Sequence, residues 1–144
     1  MMSDWEYVES DGLPPYSCVI LLRSGAPGEP LQLFVEQRPA TATVAAGKLT
    51  CFGGKREPGE SPLATVLREC HEELGWAPSD VVRACDLYVD GKLTAWFYQA
   101  AAPKPGTPLR FEAGASGVWI HSASHPELSP WHRAVLEAWQ NGEH

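Results

Sequence analysis

Four glutamates in the middle of the chain have a spacing that could hold a divalent metal ion. Glu69, Glu72 and Glu73 lie within five residues, and Glu60 precedes them. In a helix, Glu69 and Glu73 would lie one turn apart on nearly the same face, with Glu72 beside them. Like charges at this spacing repel one another, and carboxylates near the end of a helix also face an unfavourable dipole. A bound cation would convert that repulsion into coordination.

A solvated acidic helix face is the simpler interpretation of the same glutamates, with Arg68 paired to Glu72 four residues later. The segment before the helix favours the metal site instead. Gly53 and Gly54 follow a short apolar run, and glycines there allow backbone groups to approach an ion or a phosphate closely. The segment is not a P-loop, because no Gly-Lys pair in the chain is followed by Ser or Thr.

The residues from 54 to 76 resemble the Nudix box of Nudix (MutT-like) hydrolases. The positions that define the box are all filled, by Gly54, Glu60, Arg68, Glu69, Glu72, Glu73 and Gly75. At average residue usage, the chance of this pattern at a given start position is on the order of 10⁻⁹. Cys70 and Trp76 stand where the family usually has an aliphatic residue, and both are apolar.

The resemblance implies a metal-dependent hydrolase with a small-molecule substrate, a nucleoside diphosphate linked to another group. Family members hydrolyse such compounds by attack of water on phosphorus, with Mg²⁺ as the cofactor and Mn²⁺ as a possible substitute. The expected metal ligands are the carboxylates of Glu69, Glu72 and Glu73 and the carbonyl of Gly54. Glu60 is expected to support either the metal ligands or Arg68, which would orient the carboxylates.

The resemblance leaves the general base open, because the family does not keep it at one position. Glu69 could serve from within the box. Glu112, in the loop before a predicted strand, resembles the glutamate outside the box that some members use. An exposed loop carboxylate without a role is an equally good interpretation of Glu112.

Basic residues near the box are candidates for contacts with the substrate's phosphates. Arg38, at the end of the second predicted strand, is the first choice, and Lys55 follows it. Lys48 and Arg56 are weaker candidates, because isolated surface cations usually serve solvation.

Composition and charge limit the classes of partner. The chain has 144 residues with 11 Lys and Arg against 18 Asp and Glu, a net charge of −7. It is therefore a poor binder of nucleic acid polymers, and it has no apolar run long enough to span a membrane. The four cysteines show no metal-binding spacing, so buried, reduced thiols and a cytoplasmic location are expected. A homodimer is possible for this family.

The elements that must position these residues predict one domain over residues 1–144, an α/β (or α+β) sandwich with a mixed central sheet. Asp90-Gly91 is a strong signal for a hairpin, and Ser61, Pro62 and Gly75 mark the ends of the central helix. The predicted strands cover 16–22, 31–37, 49–52, 81–89, 93–100 and 117–121, with helices over 61–74 and from Ser129 to about Asn141. The inward positions are expected to include Leu63 and the tryptophans Trp96, Trp119, Trp131 and Trp139, whereas Trp5 and Trp76 could line a pocket.

Two functions are compatible with this sequence. The first is a hydrolase, with a MutT-like nucleoside triphosphate pyrophosphohydrolase favoured by the short chain. The second is a Nudix-like module that binds a nucleotide without cleaving it. Such a module could lose its metal-binding glutamates, and this chain has all of them.

Overall fold

The computed structural model describes residues 11–23 and 28–142, so Trp5 lies outside the described residues. The strands are β1 (Tyr16–Arg23), β2 (Gln32–Gln37), β3 (Leu49–Thr50), β4 (Phe52–Lys55), β5 (Val82–Val89), β6 (Lys92–Ala101) and β7 (Ser116–Ile120). The helices are α1 (Pro62–Leu74) and α2 (Pro130–Gln140). Within the described ranges, no helix is long and apolar enough to cross a membrane.

The strands form one mixed sheet in the order β3-β2-β1-β6-β5, with β7 on β2 and β4 on β1. The pair β1–β6 is parallel, and the other strand pairs are antiparallel. Among the described residues, β1 pairs with β2 at residues 21–23 and 32–34, and towards the start of β1 the two strands separate. Residues 49–55 enter this opening, with β3 on β2 and β4 on β1. The mixed sheet confirms the predicted fold class.

The two helices cover opposite faces of the sheet. Alternate β1 residues serve the two faces, because successive side chains of a strand point in opposite directions. Val19 and Leu21 pack with Val66 and Cys70 of α1, whereas Ile20 belongs to the cluster on the other face. That second cluster also contains Val135 and Leu136 of α2. The sheet is thus buried between two apolar layers, which together form the core.

Local sequence signals placed the ends of α1 and the β5–β6 turn correctly. The Ser61 hydroxyl accepts a hydrogen bond from the Ala64 N–H, which caps the first turn of α1. The helix ends at Gly75, which has a φ of 65°. Asp90 and Gly91 both have positive φ, 51° and 78°, as a two-residue hairpin turn requires.

The strand predicted over 49–52 is wrong in its extent. Cys51 separates β3 from β4, and Gly53 and Gly54 lie inside β4, not after a strand. Gly53 has a φ of 143°, and a Cβ at this position would lie 2.3 Å from the carbonyl oxygen of Ser17 on β1. Only glycine therefore allows β4 to approach β1 this closely.

Two residues predicted to face inward are exposed. Leu63 is 40 % exposed and Trp131 is 54 % exposed. Each lies in the first turn of its helix, and in α2 the buried residues begin only at Val135. Trp131 borders a groove of about 380 Å³ that also involves Tyr16 and Lys92. The other three tryptophans predicted to be inward, Trp96, Trp119 and Trp139, are half-buried and pack against the core clusters.

The four cysteines are free and buried, as the sequence predicts. Burial raises the pKa of the Cys51 thiol to about 12, so it is neutral at physiological pH. Burial likewise raises the pKa values of Cys18, Cys70 and Cys85. These thiols act as small apolar side chains in the core.

Candidate active site

Strand β4 and helix α1 bring two of the predicted carboxylates against the glycine backbone. The Gly53 N–H donates a hydrogen bond of 3.0 Å to Oε1 of Glu73. A Cβ added to Gly54 would lie 2.6 Å from the carboxyl carbon of Glu69, so that carboxylate rests directly on the glycine. The structure thus brings Gly54 together with Glu69 and Glu73, which follow it by 15 and 19 residues in the sequence.

Arg68 connects the other glutamates of the box to this junction. Its Nε donates to Oε2 of Glu60 at 2.8 Å, and its Nη1 donates to Oε1 of Glu69 at 2.9 Å. Nη1 also reaches Oε2 of Glu72 at 3.2 Å, and Nη2 donates to the Lys55 carbonyl at 3.0 Å. The predicted Arg68–Glu72 pair is present, but it is one contact of a larger network. The guanidinium fixes the positions of three carboxylates.

Glu60 is held by three donors besides the Nε of Arg68. Oε1 accepts from the Thr65 hydroxyl at 2.7 Å, the Glu57 N–H at 3.1 Å and Nη2 of Arg68 at 3.1 Å. Hydrogen bonding to Arg68 lowers the pKa of Glu60 to about 2, so it is ionised. Of the two roles that the sequence leaves open for Glu60, this geometry supports the one of holding Arg68.

Glu36, which the sequence analysis missed, lies beside Glu73. It belongs to β2, is only 2 % exposed, and accepts from Nη1 of Arg38 at 3.2 Å. Its charge also contributes to raising the pKa of Glu73, so the two carboxyl groups lie close enough to interact. The sequence signal was the alternation in β2, where Phe34 and Glu36 share the face that packs towards α1.

Burial, with a smaller effect of neighbouring charges, makes the carboxyl groups of the site harder to ionise. Burial, together with the charges of Glu36 and Glu69, raises the pKa of Glu73 to about 9. Burial also raises the pKa values of Glu36 and Glu69, although Arg38 and Arg68 respectively oppose the shifts. The site therefore carries more carboxylate than its cations balance.

Glu112 is exposed in the loop before β7, and its charge acts on two carboxyl groups of the site. It adds to the upward pKa shifts of Glu36 and Glu69, so it lies on the same side of the molecule as they do. Glu69 is part of the box, and Glu112 lies within electrostatic range of it, so both candidates for the general base belong to this region. Their geometry favours neither over the other.

The four basic candidates have different surroundings. Arg38 is half-buried, and its Nε donates to the Val44 carbonyl at 3.3 Å. Lys55 is exposed at the end of β4, and Lys48 is exposed in the preceding loop. Arg56 is wrong as a phosphate contact, because it is 2 % exposed and donates to Asp11 at 2.7 Å and to the Glu60 carbonyl at 2.8 Å.

The donor set at this junction suits a hard divalent cation. It consists of carboxylate oxygens and a backbone carbonyl, the ligands that Mg²⁺ and Mn²⁺ prefer. The excess of crowded carboxylate at Glu69 and Glu73 is what a cation would neutralise. Within residues 11–23 and 28–142, no three acidic, thiol or imidazole side chains form a ready-made metal cluster. The donor chemistry and the glycine cradle nevertheless fit a metal ion.

Comparison with known proteins agrees with this arrangement. Residues 14–139 match the family model described as the NUDIX domain. The chain belongs to the Nudix family of hydrolases. Enzymes of this family act on phosphoanhydride bonds, and they generally need a divalent metal.

Three relatives illustrate the similarity. A Nudix hydrolase of Rhodococcus erythropolis is 39 % identical over 69 residues, which are 47 % of this chain and 36 % of that protein. The 8-oxo-dGTP diphosphatase of Escherichia coli K12 is 35 % identical over 92 residues, 62 % of this chain and 69 % of the enzyme. The crystal structure of a MutT Nudix hydrolase from Burkholderia pseudomallei has a TM-score of 0.66 and 24 % identity, covering 85 % of this chain and 94 % of that one. This last likeness concerns the fold.

Alanine substitutions at the two adjacent glycines of β4 should have different effects, one on activity and the other on stability. In Gly54→Ala, the new methyl group would displace the Glu69 carboxylate, so we expect hydrolysis to fall by a factor of about 10 to 100. The free energy of unfolding should change by less than about 1 kcal/mol, because a flexible side chain moves and no backbone does. Gly53→Ala should instead lose more than about 2 kcal/mol, because its methyl group meets the Ser17 carbonyl.

Thermal unfolding in EDTA and steady-state hydrolysis with metal measure these two quantities. Wild-type activity in Gly54→Ala would contradict the position that we assign to Glu69. Equal loss of stability in the two variants would contradict the distinction between side-chain and backbone clashes.

Proposed function

We propose that this Nudix protein is a divalent-metal-dependent hydrolase of nucleoside diphosphates linked to another group, and that nucleoside triphosphates are its substrate class. One observation carries the proposal. The carboxyl groups of Glu69 and Glu73 are crowded against the glycine backbone of β4 with too little positive charge to balance them. A cation at that place would also attract a polyphosphate to an otherwise acidic protein.

The proposed cofactor is Mg²⁺, with Mn²⁺ as a substitute. Its ligands would be the carboxylates of Glu69, Glu72 and Glu73 and the carbonyl of Gly54. When bound, the ion supplies a positive charge that neutralises the phosphate oxygens and makes a water molecule more acidic. Glu73 must be ionised to serve as a ligand, and burial raises its pKa to about 9, so metal binding at neutral pH would release its proton.

The chain's own residues would divide the remaining work. The guanidinium of Arg38 would bind phosphate oxygens, with Lys55 as a second contact, and Arg68 would hold Glu69 and Glu72 in position. Water would attack a phosphorus of the anhydride, forming one P–O bond as the bridging P–O bond breaks. The bridging electron pair would leave with the departing phosphate. The water proton would pass to the carboxylate of Glu69 or Glu112.

The substrate proposal draws on similarity. A relative that is 35 % identical is an 8-oxo-dGTP diphosphatase. The present chain matches 69 % of that enzyme, so we extend only the class of nucleoside triphosphates to it. A purine or a pyrimidine triphosphate, oxidised or not, would fit this proposal.

A substrate panel tests the function directly. Phosphate or pyrophosphate release is measured with dGTP, 8-oxo-dGTP, CTP, ADP-ribose, NADH, a dinucleoside polyphosphate and a nucleotide sugar, in Mg²⁺, in Mn²⁺ and in EDTA. We expect turnover of at least one triphosphate that stops in EDTA. Glu127→Gln, an exposed glutamate outside the site, is the matched control and should keep full activity.

The panel also distinguishes the alternatives. Turnover of ADP-ribose or a dinucleoside polyphosphate, with none of triphosphates, would overturn the substrate class and leave the metal-dependent hydrolysis in place. Tight nucleotide binding by calorimetry without any turnover would instead favour the non-catalytic module.

A further inference from the structure

We propose that Glu36 is a positioning residue that fixes Arg38 for phosphate binding and holds it apart from the metal-binding carboxylates. The inference deepens the proposed function and rests on it, because phosphate binding by Arg38 is part of that proposal. It assigns a role to a residue outside the Nudix box.

Burial and contacts set Glu36 apart from an ordinary strand residue. It is 2 % exposed on β2, where it lies between Thr50 of β3 and Gly117 of β7 in the sheet. Isolating a carboxylate from water costs more than one ion pair returns. A buried glutamate is therefore a poor choice for stability alone, and a role at the neighbouring site explains its presence better.

Glu36 and a loop carbonyl together orient Arg38. Nη1 of Arg38 donates to Oε1 of Glu36 at 3.2 Å, and Nε donates to the Val44 carbonyl at 3.3 Å. These contacts hold the guanidinium at two of its nitrogens. Among the described residues Nη2 has no protein hydrogen bond, so it is the nitrogen left for a ligand. The guanidinium of Arg38, held in this way, loses little conformational entropy when it binds a phosphate.

In the absence of Glu36, Arg38 would interfere with metal binding. Without Glu36, Arg38 would be left with Glu73 as a neighbouring anion, since the charge of Arg38 already acts on that carboxyl group. A guanidinium paired with Glu73 would compete with a metal ion. Glu36 is paired with Arg38, and it is close enough to Glu73 for its charge to raise the pKa of that group. It supplies Arg38 with a counter-ion of its own, so that Glu73 remains available as a metal ligand.

A double-mutant cycle on binding tests the pair without any need for turnover. Inorganic pyrophosphate is titrated calorimetrically into Mn²⁺-saturated wild type, Glu36→Gln, Arg38→Gln and the double variant. Each single substitution should weaken pyrophosphate binding by about tenfold, and the double variant should also lose about tenfold, not about a hundredfold. Arg38→Lys should resemble Arg38→Gln, because lysine keeps the charge and loses the fork.

Several outcomes would overturn the proposal. Glu36→Gln removes a negative charge, so tighter pyrophosphate binding would mean that Glu36 only repels anions. Additive losses would mean that the two residues act separately, and full binding by Arg38→Lys would mean that charge alone matters. Mn²⁺ binding without pyrophosphate, measured by electron paramagnetic resonance, should change less than about threefold in Glu36→Gln, whereas a tenfold loss would make Glu36 a metal ligand.

Two controls keep the test interpretable. Far-UV circular dichroism and thermal unfolding show whether Glu36→Gln folds. If it does not fold, the variants at the half-buried Arg38 still test the pair. Glu127→Gln should bind pyrophosphate as the wild type does. If the wild type binds Mn²⁺ and pyrophosphate but hydrolyses no nucleotide, the proposed function is wrong. The role proposed for Glu36 is then still tested by the double-mutant cycle, which measures binding alone.

Discussion

Replacing Glu73 with Gln is expected to reduce kcat by a factor on the order of 10² or more, and to stabilise the metal-free protein at the same time. The activity is lost because an amide cannot supply the anionic ligand that the proposed metal site needs. Stability is gained because Gln removes a buried group that must hold a proton, or be ionised at a cost, next to Glu36 and Glu69. Thermal unfolding in EDTA and steady-state hydrolysis measure the two effects.

The stability effect has a defined pH window. The pKa of Glu73 is raised from 4.5 to about 9, mainly by burial, so the folded state binds the proton more tightly than the unfolded state. Between these two pH values the folded state holds more protons, and the free energy of unfolding falls as the pH rises. We expect a decline on the order of a few kcal/mol in the metal-free wild type, flattened in Glu73→Gln.

The matched control for this experiment is Glu127→Gln, which should follow the wild type at every pH. A Glu73→Gln variant that unfolds at the same temperature as the wild type at pH 8, or lower, would contradict the burial of an unfavourable carboxyl group. An active variant would contradict the ligand role of Glu73.

Replacing Arg68 with Gln should damage both stability and activity, in contrast to Glu73→Gln. Gln removes the donors to Glu60, Glu69 and Glu72, and leaves partly buried carboxylates facing each other. We expect a loss of about 1–3 kcal/mol in the free energy of unfolding and at least a tenfold loss in kcat. Arg68→Lys should lie between, because one ammonium cannot reach all three carboxylates.

Acid titration gives Arg68→Gln a second readout. The pKa of Glu60 is lowered to about 2 chiefly by its hydrogen bond with Arg68, so Glu60 stabilises the fold above its unfolded value of 4.5. That contribution is lost as the pH falls from 4.5 towards 2. In Arg68→Gln most of it should already be lost at pH 7, with only the Thr65 and Glu57 donors left, which makes the stability curve shallower below pH 4.5. If the decline in stability below pH 4.5 were the same in Arg68→Gln as in the wild type, the pKa of Glu60 would not depend on Arg68.

Local signals were sufficient for the parts of the molecule that short sequence segments determine. Ser61 and Gly75 gave the ends of α1, and Asp90-Gly91 gave the turn of the hairpin. The order of strands and helices, and hence the fold class, followed from the alternation of apolar residues. The resemblance to the Nudix box identified the residues that the structure brings together at β4 and α1.

Contacts between distant segments determined what the sequence did not predict. The strand character of Gly53 and Gly54 depends on pairing with β1, and no property of the two glycines indicates a strand. The burial of Arg56 depends on Asp11 and on the Glu60 carbonyl. Glu36 was missed because a glutamate in a strand usually faces solvent; its alternation with Phe34 indicated the inward face, and its pairing with Arg38 supplies the reason for its burial.

The parallel pairing of β1 with β6 has a consequence for how the protein is made. Cys18 pairs with Phe97, so the middle of the sheet joins segments roughly 80 residues apart. Contacts of this range are slow to form, and a ribosome must release β6 before β1 gains its parallel neighbour. Until then Cys18, Cys51 and Cys70, which the finished fold shields, are open to oxidants. Refolding yield should therefore depend on a thiol reductant during folding and become indifferent to it afterwards.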